Sequence, residues 1–308
     1  MCRIFKFLAA IINRGLINHK FLLTVAGVLL TVGLMAAIPD STRSESDQSA
    51  VIEQVAPGNY KIAEISPFPR GVMGMAVNDD GVLFFSDTYS RLDASSAVYA
   101  LAPPYSGDPV PTGITGRSVA GLMWHEEKLY VAFLNRNEII IYDSELEFLE
   151  SRVVDSPWGF ATDGENVFVY TYYGQIGLIT NNRVNVFTES LQYPLDMEFS
   201  GNESLWITEA SQPDSLGRLL EVGFRGEVKR DYAQGIKYPF GLQQYKNGNL
   251  YVTDKESGVI YVVPPEGNTA IVTDEYASPI CITVDHLGRL VVNCDHNGGM
   301  LLVIKVPQ

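Results

Sequence analysis

A unit written six times restricts the fold of this chain more than any other feature. Val72–Val77 (VMGMAV), Val119–Trp124 (VAGLMW), Pro157–Thr162 (PWGFAT), Pro194–Phe199 (PLDMEF), Pro239–Gln244 (PFGLQQ) and Pro279–Val284 (PICITV) share one pattern. Their third positions are Gly74, Gly121, Gly159, Asp196, Gly241 and Cys281, spaced by 47, 38, 37, 45 and 40 residues. A polar turn follows each segment, for example Asp79-Asp-Gly81 or Lys246-Asn-Gly248. Asx-Gly pairs supply the positive φ that a tight hairpin requires. Second strands are predicted at Val82–Ser86, Leu129–Phe133, Val167–Thr171, Leu205–Thr208, Leu250–Thr253 and Leu290–Asn293. Third strands follow at Ala97–Leu101, Glu138–Tyr142, Ile176–Thr180, Arg218–Val222, Val259–Val263 and Met300–Lys305. Fourth strands read most clearly at Ser151–Val154, Arg183–Thr188 and Thr269–Thr273. Four antiparallel strands in about forty residues, repeated, build a β-propeller. The sixth unit lacks a fourth strand, and the alternating segment Tyr60–Ile65 is expected to supply it and close the ring.

The bulk composition agrees with an all-β chain: 27 Gly, 16 Pro and 16 Tyr favour strands and turns over helices. With 46% hydrophobic and 19% charged residues, intrinsic disorder is excluded. A net charge of −14 removes the electrostatic case for binding nucleic acid.

The N-terminal region is a separate object. Phe21–Ile38 is an uncharged apolar run preceded by Arg3, Lys6, Arg14 and Lys20. Eighteen helical residues just span a hydrocarbon layer, and the positive flank keeps the N-terminus in the cytoplasm. The reading is a cytoplasmic basic segment at 1–20, a single transmembrane signal-anchor helix at 21–38, a polar flexible stalk at 39–57 and the six-bladed propeller at 58–308. A cleaved signal peptide has the same polarity and would make the protein secreted; Leu34 and Met35 fit poorly before a cut at Ala36 or Ala37. Either way the propeller is placed outside, periplasmic or extracellular. Beyond residue 50 the chain holds 17 basic and 33 acidic residues, so the anchor rather than the acidic surface holds it to the membrane.

The unit in Pro239–Asp254 (PFGLQQYKNGNLYVTD) resembles the NHL and SMP-30/gluconolactonase-like six-bladed propellers, over roughly residues 58–308. That superfamily holds lactonases, esterases, strictosidine-synthase-like proteins and pure binding domains, so the resemblance implies architecture more than chemistry. In the SMP-30 lactonases it implies a divalent metal held by Glu, Asn and Asp just before the Gly of the inner strands. Those positions are Met73, Ala120, Trp158, Leu195, Phe240 and Ile280 here, and none ligates a hard cation. No cofactor is therefore expected. Calcium would have only Asp196, the acidic residue in a Gly position, as a weak candidate ligand.

Loops after the second strands share a face with these inner positions. They carry Asp87, Tyr89, Tyr173, Glu209, Asp254, Asp295 and His296. Asp87, Glu209 and Asp254 end their strands equivalently, which makes either an acidic ring at the channel mouth or a set of carboxylates capping their own turns. His296 beside Asp295 is a candidate base or metal ligand, whereas His125 and His286 fall on the opposite face. Trp158, Tyr173, Tyr238 and Phe240 line an apolar funnel or pack between blades. No G-x-S-x-G, H-E-x-x-H, P-loop or dinucleotide fingerprint appears on a suitable strand and helix.

Cys2 falls on the cytoplasmic side. If Val284 faces Arg289, then Cys281 faces Val292 and Cys294 faces Pro279, a diagonal of about 7–8 Å that leaves two buried thiols. The leading functional expectation is a membrane-anchored propeller that binds a protein, peptide or small molecule on its funnel face. The alternative is a lactone or aryl-ester hydrolase with an atypical site around Asp196, Glu209, Asp254 and His296. A strictosidine-synthase-like or lyase activity comes third.

Overall fold

The computed structural model describes residues 59–87, 95–180, 183–188, 191–201, 203–210, 216–232, 235–265, 269–295 and 298–307. The apolar run at 21–38, the stalk at 39–57, Tyr89 and His296 lie outside them. Among the described residues no helix is long and apolar enough to cross a membrane.

Before the repeats comes β1 (Lys61–Ile65). Blade one is β2 (Val72–Val77), β3 (Leu83–Asp87), β4 (Ser95–Leu101) and β5 (Val110–Arg117). Blade two is β6 (Val119–His125), β7 (Lys128–Phe133), β8 (Glu138–Tyr142) and β9 (Phe148–Val153). Blade three is β10 (Pro157–Thr162), β11 (Val167–Thr171), β12 (Ile176–Ile179) and β13 (Val184–Thr188). Blade four is β14 (Pro194–Gly201), β15 (Ser204–Glu209), β16 (Arg218–Gly223) and β17 (Val228–Asp231). Blade five is β18 (Pro239–Gln244), β19 (Leu250–Asp254), β20 (Val259–Val263) and β21 (Ala270–Thr273). Blade six is β22 (Pro279–Val284), β23 (Arg289–Cys294) and β24 (Met300–Lys305), completed on its outside by β1.

The inner strands meet in the cycle β2, β6, β10, β14, β18, β22 and back to β2, so six blades close around one axis. Closure uses the pairing predicted from sequence: β1 runs antiparallel to β24 with Lys61 opposite Lys305 and Ile65 opposite Leu301. Both faces of a blade pack on neighbours, so the middle strands are apolar on both sides. Strands β11, β15 and β19 are buried throughout, whereas outer β17 is exposed throughout. Tyr130, Ile139 and Ile141 of blade two, for example, pack against Phe160, Val167 and Val169 of blade three.

The repeated glycine has a steric cause. A Cβ on Gly74 would lie 2.2 Å from the Ala120 carbonyl oxygen, and one on Gly241 would lie 2.3 Å from that of Ile280. Adjacent inner strands approach too closely there for a side chain. In four blades the same contact is bridged by the penultimate side chain of the second strand. Ser86, Tyr170, Thr208 and Thr253 donate to the carbonyls of Ala120, Leu195, Phe240 and Ile280 in the next blade, at 3.3, 2.6, 3.0 and 2.6 Å. Ser86 and Thr253 also accept from Gly74 N–H and Gly241 N–H, at 3.1 and 2.7 Å. Asn293 in blade six accepts from Cys281 N–H at 2.8 Å, but its buried Nδ2 finds no acceptor among the described residues.

One register differs from the sequence expectation. Val284 pairs with Leu290, because Asp285 and Arg289 close the turn through Asp285 N–H to Arg289 C=O at 2.9 Å. A bulge between Pro279 and Ile282 then sets Ile282, not Cys281, opposite Val292, while Cys294 does face Pro279. All six inner strands carry this irregularity at their start, which re-aims the residue in the Gly position toward the axis. Cys281 and Cys294 are free, buried thiols, as expected.

Candidate functional site

The face that receives the second strands is built by one recurring hydrogen bond. The residue following the second strand donates its N–H to the residue just ahead of the inner strand: Leu134 to Ser118, Tyr172 to Ser156, Ala210 to Tyr193, Lys255 to Tyr238 and Asp295 to Ser278, all at 2.9–3.1 Å. Leu134, Tyr172, Ala210, Lys255 and Asp295 thus hold equivalent stations around the axis. Opposite them, Ser118, Ser156, Tyr193 and Ser278 sit in the left-handed region, with φ of 52°, 47°, 54° and 52°. For a residue as bulky as Tyr193 that conformation costs on the order of 1–2 kcal/mol.

Four of these stations, Leu134, Tyr172, Ala210 and Lys255, border a cup of about 570 Å³. Trp158, Tyr172, Tyr173, Tyr193, Tyr238 and Phe240 form most of its wall, with Met73, Leu195 and Leu134 between them. Trp158 lies 5.3 Å from Tyr172, and Tyr172 packs edge-on against Tyr173 and Tyr193 at 5.6 and 6.0 Å. Trp158 and Phe240 are buried, whereas Tyr172, Tyr173 and Tyr193 are 39%, 65% and 46% exposed. The expected site residues Trp158, Tyr173 and Phe240 therefore come together. Lys255 joins them, its Nζ 5.3 Å from the Phe240 ring centre.

The carboxylates on this face are turned into the loops. Asp87 accepts from Ala97 N–H at 2.6 Å. Buried Glu209 accepts from Gln192 N–H and from the Arg218 guanidinium. Buried Asp254 accepts from four backbone N–H groups, those of Lys237, Tyr238, Glu256 and Ser257, at 2.8–3.2 Å. Asp295 accepts from Gly71 N–H at 3.0 Å, joining blade six to blade one, with Arg70 alongside at 3.6 Å. Asp254 caps its own turn through Glu256 and Ser257, whereas Asp87, Glu209 and Asp295 bind groups distant in sequence, and among the described residues none of these carboxylates lines the cup.

Below the cup, past Met73, Leu195 and Phe240, which line both spaces, lies a narrower channel of about 250 Å³. Asp196 and Glu198 point into it from alternate positions of β14. Asp196 accepts from Leu242 N–H across the blade boundary at 2.8 Å and from Met197 N–H at 2.9 Å. Protein surrounds this carboxylate, and burial pushes its pKa to about 7 against the partial relief of those donors and of the Tyr170 hydroxyl. Asp196 as a residue is half-buried and lines the channel. The single Tyr170 proton has two acceptors, Asp196 and the Leu195 carbonyl. Glu198 accepts from Gln243 Nε2 at 2.9 Å, and burial, then the neighbouring Asp196, raises its pKa strongly. Sequence reasoning singled out Asp196 but missed Glu198, although period-2 alternation from Asp196 places it on the same face.

A hard divalent cation does not fit these donors. The six positions that would supply its ligands are apolar, Asp196 is engaged by backbone N–H groups, and no group of three His, Cys, Asp or Glu side chains converges among the described residues.

No protein family and no curated protein matches the chain by sequence. Solved structures do match in shape. A gluconolactonase from Xanthomonas campestris superposes with a TM-score of 0.64 at 14% identity, over 82% of this chain and 91% of that one. A virginiamycin B lyase from Staphylococcus aureus with quinupristin gives 0.59 at 11%, over 80% and 100%. The WD40 propeller domain of Doa1 gives 0.59 at 11%, over 81% and 97%. The fold is a six-bladed propeller. Identities this low speak to architecture alone, and the resemblance read from Pro239–Asp254 holds at that level.

Proposed function

We propose that this protein is a ligand-binding propeller whose cup takes up a small molecule or a short peptide side chain, held outside the membrane by the apolar run at 21–38. The observation that carries the binding reading is the cup itself. Three exposed tyrosines and two buried aromatics converge on a concavity of about 570 Å³, within the range of small-molecule sites. Apolar surface gathered this way gains most when a ligand covers it. The strained backbone of Tyr193 presents one of those rings.

Hydrolysis of a lactone or aryl ester is the second reading, favoured by Asp196, whose pKa near 7 suits a general base. Asp196 lies past Met73, Leu195 and Phe240, in the lining of the channel and not of the cup. Binding is therefore the stronger reading.

The test uses the purified full-length chain and the neutral fluorophore N-phenyl-1-naphthylamine. A saturable fluorescence rise, abolished in a Trp158→Ala/Tyr173→Ala variant that melts cooperatively, is the expected result. Turnover of a lactone and aryl-ester panel that disappears in Asp196→Asn would instead establish the hydrolase.

A further inference from the structure

Among the described residues the lining of the cup is mostly apolar. Among the described residues that line it, Lys255 alone carries a formal charge. This is unexpected in a chain of net −14, most of whose acidic residues lie in the propeller. The reason is local. At the station shared with Leu134, Tyr172 and Ala210, blade five places a lysine, anchored through its N–H to the Tyr238 carbonyl at 3.0 Å. Asp254, next to it in sequence, is taken up by four backbone donors, and neither it nor Glu256 nor Asp295 is among the described residues that line the cup.

We propose that the cup's ligand is an anion with a flat apolar body, an aryl carboxylate or sulfonate in type, whose rings stack on Trp158, Tyr172 and Tyr193 while its negative group pairs with Lys255 Nζ. This rests on the binding reading above and names the class of ligand it takes. A half-buried ammonium ion interacts with an anion more strongly than a surface one, because the aromatic walls lower the local dielectric. Nζ sits over the Phe240 ring, at the floor of the cup. A cationic ligand is disfavoured by the charge of the lining. Lysine repels it, and among the described lining residues no carboxylate offers it a partner.

A matched pair of probes separates the charge from the apolar body. 1-Anilinonaphthalene-8-sulfonate is N-phenyl-1-naphthylamine carrying one sulfonate. The full-length protein is expected to bind the sulfonate about tenfold or more tightly than the neutral probe, the scale of one charge-assisted contact. Lys255→Gln should bring the two affinities within about twofold of each other by weakening the sulfonate alone, and Lys255→Arg should retain the preference. Added salt should weaken the sulfonate in the wild type and not in Lys255→Gln. Equal affinities in the wild type, or a Lys255→Gln change that weakens both probes alike, would overturn the assignment and leave the binding reading standing. Failure of either probe to bind would remove the binding reading itself, and this inference with it.

Discussion

Thr253→Val tests whether the blades are locked to one another by side chains on their second strands. Thr253 is wholly buried. Its hydroxyl accepts from Gly241 N–H at 2.7 Å and donates to the Ile280 carbonyl of the next blade at 2.6 Å. Valine has the same shape, so no cavity opens and packing is preserved. What changes is that two buried backbone groups lose their partner, where water has no room to replace it. Each orphaned group costs about 1–3 kcal/mol, giving about 2–6 kcal/mol in all. Urea denaturation followed by tryptophan fluorescence measures it, with a lowered midpoint at unchanged slope as the expected signature. Thr112→Val is the control: that hydroxyl donates to Val98 C=O at 2.7 Å on the partly exposed outer strand, and its loss should cost about 1 kcal/mol or less. If Thr253→Val were no more destabilising than Thr112→Val, the claim that these hydroxyls join the blades would be wrong.

Two further outcomes follow from the same contacts. Asp196 keeps its proton up to about pH 7 when folded and releases it near the ordinary 3.8 when unfolded, so folding binds a proton in that window and stability falls as pH rises through it. Asp196→Asn should gain on the wild type by up to about 3 kcal/mol between about pH 5 and about pH 8, and a pH-independent difference in denaturation midpoints would contradict the burial of this carboxyl. Asn293→Thr replaces an amide with an unsatisfied Nδ2 by the group that serves at Thr253, and should stabilise by about 1 kcal/mol. A lowered melting temperature would show that the amide nitrogen has a partner after all.

The strands were legible because each repeats an alternation whose apolar members are needed on both faces of a blade. Tyr60–Ile65 was legible as the closing strand for the same reason. Bulges were not, since an extra residue at the start of β22 leaves the alternation on either side intact and moves only the pairing, as Cys281 shows. In the cup, Trp158 and Phe240 could be read from their place beside the Gly position. Tyr193 was missed, although it precedes Pro194 just as Tyr238 precedes Pro239. Aligning the repeats on their prolines would have found it. Lys255 stood in plain view between Asp254 and Glu256, but its partners in the loop gave no sign of which of the three charges faces the cup. That depends on four backbone N–H groups capturing Asp254, a fact of three-dimensional geometry.

The pairing of β1 with β24 also sets a timetable. Lys61 leaves the ribosome 244 residues before its partner Lys305. At about 5–20 residues per second that strand waits on the order of 10–50 s with its hydrogen-bonding edge unoccupied. Blades one to five can form their local sheets as they appear, but the circle cannot be completed until Lys305 has been made. Through that interval the nascent protein carries open edges at both ends of the arc, and any factor that shields Lys61–Ile65 would govern how much of it reaches the closed state.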